Sequence, residues 1–195
     1  MISVLIRTIG RPSLKDAILS SKREFDNVIV VADAVDLPIK TLPRGVTYLK
    51  TGMRYDKYGS AAINMGAYAC STSYFCLLDD DDEFVVGAGD FMRRSVQANP
   101  QVDIWIPGLK FNNGMVLCIQ PDKGIIPGNV AVPTYKTELL FRVPFYKGIE
   151  GKDPNYTDIN HVSILHTLGY KIDWYNEILY LVRPKLDGTN GRGNL

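Results

Sequence analysis

The sequence predicts an α/β fold in which a mostly parallel central sheet is flanked by helices. Over about the first 110 residues, short aliphatic and β-branched runs alternate with segments whose apolar residues recur at helical spacing. Residues 28–32 form a continuous apolar run, which is typical of a strand buried on both faces. Strands that alternate with helices favour parallel neighbours with helices packed on the sheet.

The first half of the chain supplies most of these elements in a regular order. Strands are predicted at residues 2–6, 28–32, 46–49, 74–78 and 102–106, and helices at 14–21, 60–69 and 90–99. Ser13 is placed to cap the first helix. The second helix is rich in small residues, among them Ala62 and Gly66, which favours close packing against the sheet.

Residues 108–151 are less regular and are rich in Gly and Pro. Short β patches are predicted inside this stretch at 115–119 and 139–143, as a short irregular, antiparallel addition to the sheet. Long irregular segments in compact domains are usually functional, so we expect this one to shape a substrate site.

The last third contains a clear amphipathic helix at residues 157–168 and a final strand at 178–182. Thr157 is the candidate cap of the helix, and Gly169 ends it. The apolar stripe of the helix is formed by Ile159, Val162, Leu165 and Leu168.

Composition and charge exclude several classes of protein. The chain has 195 residues, 46% of them hydrophobic, and its 22 Lys and Arg against 21 Asp and Glu give a net charge of +1. This balance gives no net electrostatic attraction to nucleic acid or anionic membranes. The composition excludes a disordered chain, collagen-like repeats and a disulfide scaffold. No repeat or linker divides the chain, so residues 1–195 are expected to form one domain with a tail at 187–195.

Cysteine content and hydropathy predict a soluble cytoplasmic protein. Cys70, Cys76 and Cys118 are odd in number and form no C-x-x-C pair, so we expect them to be reduced and buried. No apolar run approaches the roughly 20 residues of a membrane span, and no basic region precedes a signal-type core at the N-terminus. No membrane anchor is therefore expected.

The most informative local feature is the acidic run at residues 79–83, directly after the predicted strand at 74–78. Open parallel sheets bind ligands outside the carboxyl ends of their strands. The polar residues that follow the first two strands are Arg7, Thr8, Arg11, Asp33 and Asp36. Like charges about 4 Å apart repel by roughly 1–4 kcal/mol per pair, and a bound divalent cation would remove that conflict. The alternative interpretation is a solvated acidic turn.

Two further polar residues lie on the predicted helix at 157–168. Asp158 falls in its first turn, where the helix dipole favours an acid by about 0.3–1 kcal/mol, a sufficient structural reason for the residue. His161 lies one turn further on, where a metal ligand or a base is conceivable. We expect His161 instead to be a polar residue on the solvated flank of the helix. His166 is expected on the surface.

Two common nucleotide-binding motifs are absent, since no G-x-G-x-x-G follows the first strand and no G-x-x-x-x-G-K-[ST] occurs. Five segments are distinctive by their order: residues 6–12, 30–33, 62–66, 75–82, and the stretch from Asp158 through 169–172 to 178–183. Together they resemble GT-A fold glycosyltransferases, especially the inverting family-2 enzymes. The resemblance implies one GT-A-like, Rossmann-like domain with a nucleotide-sugar half at 1–107 and an acceptor and catalytic-base half at 108–186.

The resemblance also implies roles for individual residues. Asp79 and Asp81 match the D-x-D motif that holds Mn²⁺ or Mg²⁺ on the donor diphosphate, with Asp80 facing the ribose. The run of four aspartates also allows a register with Asp80 and Asp82. Asp158 matches the general base. The positions that match contacts to the nucleoside or the diphosphate are Thr8, Arg11, Asp33, Asn64 and Arg183.

The function implied by the resemblance is a metal-dependent inverting glycosyltransferase, a hexosyl- or pentosyltransferase that uses a nucleoside-diphosphate sugar, with a UDP-sugar favoured. Two alternatives are a sugar-phosphate nucleotidyltransferase and a non-enzymatic domain that binds a divalent metal. The former usually carries a Gly-rich loop after the first strand, and residues 8–12 are poor in Gly. The sequence leaves the acceptor open among a glycan, a small molecule and a modified base in DNA, and it leaves the oligomeric state open.

Overall fold

The computed structural model describes residues 1–38, 42–54, 59–117, 122, 124–125, 132–145 and 157–182. The strands are β1 (Ile2–Thr8), β2 (Asn27–Ala32), β3 (Val46–Lys50), β4 (Tyr74–Asp79), β5 (Asp82–Phe84), β6 (Ile104–Phe111), β7 (Val116–Leu117), β8 (Thr134–Lys136) and β9 (Ile172–Val182). The helices are α1 (Leu14–Glu24), α2 (Ser60–Tyr68), α3 (Ala88–Ala98), α4 (Glu138–Arg142) and α5 (Thr157–Thr167).

The described strands form one mixed sheet in the order β3-β2-β1-β4-β8-β6-β9-β5, with β7 paired to β6. β1 pairs in parallel with β2 and β4, and β2 pairs in parallel with β3. β6 and β9 are also parallel, whereas β5, β7 and β8 pair antiparallel with their neighbours. The predicted α/β class, with a mostly parallel sheet and an antiparallel portion, is confirmed.

Helices cover the parallel half of the sheet on two faces, and β2 shows this most directly. Val28 and Val30 belong to the main core, while the alternate residues Ile29 and Val31 pack with α2 on the opposite face. α2 lies so close to the sheet that a Cβ added at Gly66 would stand 2.3 Å from the Cδ1 atom of Leu5. The small residues of this helix therefore permit the close packing that the sequence predicts.

The predicted β patch at 139–143 is wrong, because residues 138–142 form helix α4. Leu139 and Leu140 are buried on one side of this short helix, and Phe141 is exposed. Glu and Leu are good helix formers, and two buried leucines are enough to seat a single turn against the core. The other predicted patch agrees with β7 at Val116–Leu117, and residues 118–119 lie outside the described part of the chain.

The last strand is longer than predicted, since β9 begins at Ile172 and not at residue 178. Asn176 interrupts the strand-like alternation of side chains in this segment, because its φ of 53° lies in the left-handed region and shifts the pairing with β6.

The acidic run at 79–83 does not lie wholly in a turn. Asp82 begins β5, a short strand that pairs with the far end of β9.

The predicted helix caps agree with the structure in part. Ser13 makes no side-chain cap hydrogen bond, because its backbone is already helical at φ −66° and ψ −16°. Gly169 ends α5 at φ 87°, as predicted, and Tyr170 donates its backbone N–H to the carbonyl of Leu165 at 3.1 Å. Leu168 lies beyond the helix and is 60% exposed, so the buried stripe ends at Leu165.

Two further expectations concern cysteines and membranes. Cys76 is buried and Cys70 partly buried, both without a disulfide, and Cys118 lies outside the described residues, as does the tail at 187–195. Within the part of the chain that the structure describes, no helix has the length and apolar character to span a bilayer. The cytoplasmic location and the division into halves remain predictions.

Candidate active site

The carboxyl ends of β1, β2 and β4 lie side by side and bring three loops together. The parallel register pairs Arg7 with Asp79 and Thr8 with Ala32. Asp33, the residue after Ala32, donates its backbone N–H to the carbonyl of Thr8 at 2.8 Å. The polar residues that the sequence places after separate strands therefore share one edge of the sheet.

The acidic run alternates between buried and accessible side chains. The side chain of Asp79 is 37% exposed and that of Asp81 is 14% exposed, whereas that of Asp80 is 1% exposed. Asp82 is buried at 5% exposure. Asp80 and Asp81 lie in the turn between β4 and β5, and the more accessible side chains of the run are those of Asp79 and Asp81.

Asp80 holds the loop that follows β1. Its Oδ2 atom accepts hydrogen bonds from Thr8 Oγ1 at 2.5 Å and from the backbone N–H of Ile9 at 3.3 Å, and its Oδ1 atom is paired with Arg11. Thr8 Oγ1 in turn accepts the N–H of Gly10 at 2.9 Å. Thr8 and Arg11 are thus brought together with Asp80, and a contact from Asp80 to a ribose would require these bonds to be exchanged.

Two arginines lie against the accessible aspartates. Arg7 approaches Asp79 Oδ1 through Nε at 3.1 Å and Nη2 at 3.0 Å, and Arg11 Nη1 lies 3.5 Å from Asp81 Oδ1. Burial alone would lower the pKa of Arg7, but the charges of Asp79 and Asp158 raise it above its ordinary value. These guanidinium groups supply part of the charge compensation that the acidic run requires, a part that a metal ion then does not have to supply.

Arg7 is the site residue to which sequence reasoning gave no role. It was visible as a charged residue at the end of an apolar strand, but such a residue is ordinarily solvated. Its register opposite Asp79 and its electrostatic link to Asp158 depend on strand order, which one sequence does not display.

Asp33 is held at the end of β2 by neighbours that include Thr51 and Arg54. Thr51 Oγ1 donates to its Oδ1 atom at 3.2 Å, and Arg54 Nε lies 3.4 Å from its Oδ2 atom. α2 begins beside the same carboxylate, because a Cβ added at Gly59 would lie 3.7 Å from Asp33 Oδ2 and 3.2 Å from Arg7 Cδ. Asp33 therefore belongs to the same edge as the acidic run.

Asp158 brings a carboxylate from α5 to this group. Its Oδ2 atom accepts the backbone N–H of Val132 at 3.3 Å, and its Oδ1 atom is buried without a hydrogen-bond partner among the described residues. Burial raises the pKa of Asp158; the charge of Arg7 lowers it, and that of Asp79 raises it further. Val132 has a φ of 40°, an uncommon conformation for a β-branched residue, so its backbone is strained where it meets Asp158.

Asn64 lies on α2 and contacts the backbone of Phe145. Its Nδ2 donates to the carbonyl of Phe145 at 2.8 Å, and its Oδ1 accepts the N–H of the same residue at 2.9 Å. Both ends of the amide are therefore used on backbone. The nucleotide contact implied for Asn64 by the family resemblance stays a prediction, and the contact that the structure displays is this one.

His161 is not on a solvated flank, so that expectation is wrong. The residue is 3% exposed, its ring stacks on Phe145 with centroids 3.9 Å apart, and its Nε2 lies 2.9 Å from the carbonyl of Val143. Helical spacing alone suggested a polar flank, but residues 143–145 cover this side of α5. His166 is exposed, as expected.

The buried position of His161 predicts a loss of stability in acid. Burial lowers its pKa from 6.5 to about 4, so the unfolded chain takes up the proton first as the pH falls. The stabilisation is present above about pH 6.5 and is lost toward pH 4, by roughly 2–3 kcal/mol. We expect His161→Phe, which keeps the ring stack, to remove this part of the pH dependence in urea unfolding at pH 7, 5.5 and 4.5. His166→Phe should follow the wild type, and an unchanged pH dependence in His161→Phe would contradict the assignment.

The chemistry of the donor set fits a divalent cation that arrives with an anionic ligand. Among the described residues no three His, Cys, Asp or Glu side chains are arranged to hold a metal ion by themselves. Asp79 and Asp81 nevertheless present hard oxygen donors on the accessible side, and at this edge carboxylates outnumber guanidinium groups. A diphosphate would add further negative charge, and its oxygens would complete the shell of a cation. Arg183 lies outside the described residues.

Comparison with known proteins identifies the fold. No protein-family model matches the sequence, and no curated protein matches it. The structure is similar to that of residues 1–349 of S. aureus TarS, with a TM-score of 0.71 and 15% identity over 94% of this chain. The same TarS region in complex with UDP gives 0.69 and 13% over 93%, and in complex with UDP-GlcNAc 0.65 and 14% over 93%.

This chain spans 60% of the length of the first of these structures and of the UDP complex, and 58% of the UDP-GlcNAc complex. At such low identity the likeness shows the fold alone, and this chain shares the mixed α/β fold of the TarS structure.

Proposed function

We propose that this protein is a glycosyltransferase that moves a sugar from a nucleoside-diphosphate sugar to an acceptor hydroxyl, with inversion at the anomeric carbon. The observation that carries the proposal is the placement of Asp158. Its buried Oδ1 atom has no hydrogen-bond partner among the described residues, and its charge acts on Arg7, which holds Asp79 at the end of β4. A proton acceptor and a set of strand-end carboxylates thus meet at one edge of a sheet of this fold.

The nature of the donor is supported by the structural neighbours. TarS has been solved with UDP and with UDP-GlcNAc, a nucleotide sugar. The strand-end edge of this chain carries Asp33 beside the start of α2, and Thr8 and Arg11 on the loop after β1. We therefore propose a UDP-sugar as donor, bound across the ends of β1, β2 and β4.

Asp158 is proposed as the general base. The Oδ1 atom takes the proton of the acceptor hydroxyl while the oxygen attacks the sugar carbon from the side opposite the diphosphate, which inverts that centre. The raised pKa of Asp158 makes it a stronger base, and Arg7 and the N–H of Val132 favour its ionised form. General-base catalysis of this kind contributes about 10²–10⁴-fold to a rate.

The leaving diphosphate is proposed to bind with Mn²⁺ or Mg²⁺ at Asp79 and Asp81. These two carboxylates would hold the ion, which when bound would stabilise the negative charge that develops on the departing phosphate by several kcal/mol. Arg7 fixes the carboxylate of Asp79 through its Nε and Nη2 contacts, and Arg11 keeps Asp80 and the loop after β1 in place beside it.

The test is thermal unfolding with UDP, GDP, CDP, ADP and dTDP, each with Mn²⁺ and with EDTA. We expect one nucleotide, UDP, to stabilise the protein in the presence of Mn²⁺. A ligand at 100 times its dissociation constant contributes about 2.7 kcal/mol, or roughly 5–10 °C for a domain of this size. Asp81→Asn should remove the metal-dependent shift, and Asp90→Asn, an exposed aspartate on α3 paired with Arg93, should retain it.

Other outcomes would identify the alternatives. A shift that is the same in EDTA would contradict the metal, whereas no shift with any nucleotide would contradict the donor site and favour a non-enzymatic domain. A preference for UTP, with release of pyrophosphate when a sugar phosphate is added, would favour a nucleotidyltransferase. With the donor established, glycans, small molecules and modified DNA are to be compared as acceptors by release of UDP.

A further inference from the structure

A cluster of side chains links α2, the segment at 143–145 and α5, and among the described residues it contacts no strand-end carboxylate. Asn64 on α2 holds Phe145 through both its N–H and its carbonyl. On the other side of the same segment, His161 of α5 stacks on the ring of Phe145 and bonds the carbonyl of Val143. We name this arrangement of Asn64, Phe145 and His161 the clamp.

The clamp is buried and closely packed. Phe145 and His161 are each 3% exposed, and Tyr135 of β8 is fully buried against both rings, with centroids 5.7 Å from Phe145 and 5.4 Å from His161. The paired amide of Asn64 and the stacked imidazole of His161 have few alternative positions here. A buried polar group that loses its hydrogen-bond partner remains desolvated, and this raises the free energy of the folded state. The clamp is therefore suited to fix the position of α5 relative to α2.

The clamp contacts two helices, and each of these helices contributes to a different part of the site. α2 begins beside Arg7 and Asp33, at the edge proposed for the nucleotide. On α5, His161 lies three residues after Asp158, so both side chains belong to one face of the helix. The clamp thus connects the helix that starts at the donor edge with the helix that carries the proposed base.

We propose that Asn64 and His161 are positioning residues that fix Asp158 relative to the donor edge, and that Asn64 acts through Phe145 and not through the nucleotide. This inference rests on the proposed function. A displacement of about 1 Å of a reacting group can cost about 100-fold in rate, while binding of the donor at the other edge is left intact. A variant that lacks the clamp is therefore expected to lose turnover but to keep its affinity for the donor.

The test compares Asn64→Ala with Asn27→Ala. Asn27 stands at the opposite end of the sheet, at the start of β2, where its Nδ2 donates to Ser3 Oγ at 2.7 Å, so its removal is a matched loss of a partly buried amide. UDP binding is measured by calorimetry, and turnover as release of UDP from UDP-GlcNAc with water as acceptor. We expect turnover of Asn64→Ala to fall about 10–100-fold with the UDP dissociation constant within about twofold of wild type. Asn27→Ala should match the wild type in both.

A loss of UDP affinity in Asn64→Ala as large as its loss of turnover would overturn the inference and assign Asn64 to the nucleotide. Unchanged turnover would overturn it as well. If the wild type neither binds UDP nor releases it above the level of Asp158→Asn, it is the proposed function that fails. Amide hydrogen exchange then tests the clamp by itself: the α5 amides should exchange faster in Asn64→Ala than in Asn27→Ala, and equal exchange would contradict a link between α2 and α5.

Discussion

Asp158→Asn is expected to reduce sugar transfer by about 100- to 10,000-fold while nucleotide affinity stays within about twofold of wild type. The substitution keeps the shape of the side chain and an oxygen able to accept the N–H of Val132, so α5 has no reason to move. It removes the basic oxygen, since an amide does not take up a proton at neutral pH. The measurement is release of UDP from UDP-GlcNAc, together with the thermal shift produced by UDP and Mn²⁺.

The pH dependence provides a second readout of the same residue. Because burial raises the pKa of Asp158, the acid limb of the rate profile should lie above the ordinary carboxyl value of 3.8. Arg7 lowers that pKa, so Arg7→Gln should move the limb to higher pH. Asp173→Asn, a partly buried carboxylate at the start of β9, is the control and should leave rate and profile unchanged. A fall in nucleotide affinity as large as the fall in rate would sink the assignment of Asp158 as base.

Arg11→Ala is expected to destabilise the protein by about 3–5 kcal/mol, because it leaves the carboxylate of Asp80 buried and without its charge partner. The hydrogen bonds from Thr8 and Ile9 remain, but they do not neutralise the charge. Adding Asp80→Asn to Arg11→Ala should recover part of the loss, since a neutral amide is less costly to bury.

Urea unfolding measures these differences. The control is Arg142→Ala on α4, where Arg142 and Glu138 lie 3.8 Å apart with both side chains largely exposed, so a change of at most about 1 kcal/mol is expected. An Arg11→Ala protein as stable as Arg142→Ala would contradict the idea that the buried Asp80 carboxylate depends on Arg11 as its charge partner. A double variant less stable than Arg11→Ala alone would likewise contradict the electrostatic explanation.

Agreement between sequence and structure is best for features encoded in a short window. The apolar run 28–32 specifies a strand covered on both faces, and the acidic run at 79–83 follows a strand whose end could be read from its composition. Helix α5 and its end at Gly169 follow from periodicity and one glycine with positive φ. These inferences succeed because burial of a periodic apolar face dominates the local free energy.

Agreement is poorest where the partner is distant along the chain. His161 was expected in solvent, but the segment at 143–145 covers it, and Asn64 pairs with Phe145 across 81 residues. Residues 139–143 carried a strand-like pattern, yet two buried leucines and the neighbouring core select a helical turn. Patterns of five residues are compatible with either element, and the surrounding packing decides between them.

The sequence by itself determined the α/β class, the order of its main elements and the position of the acidic residues after a buried strand. Those features depend on side-chain periodicity and on residues adjacent in the chain. The tertiary structure alone decided which aspartates of the run are accessible, that Arg7 stands against Asp79, and that Asp158 retains a buried oxygen without a described partner. Such facts depend on strand order, register and desolvation, which arise only when segments far apart in sequence exclude water together.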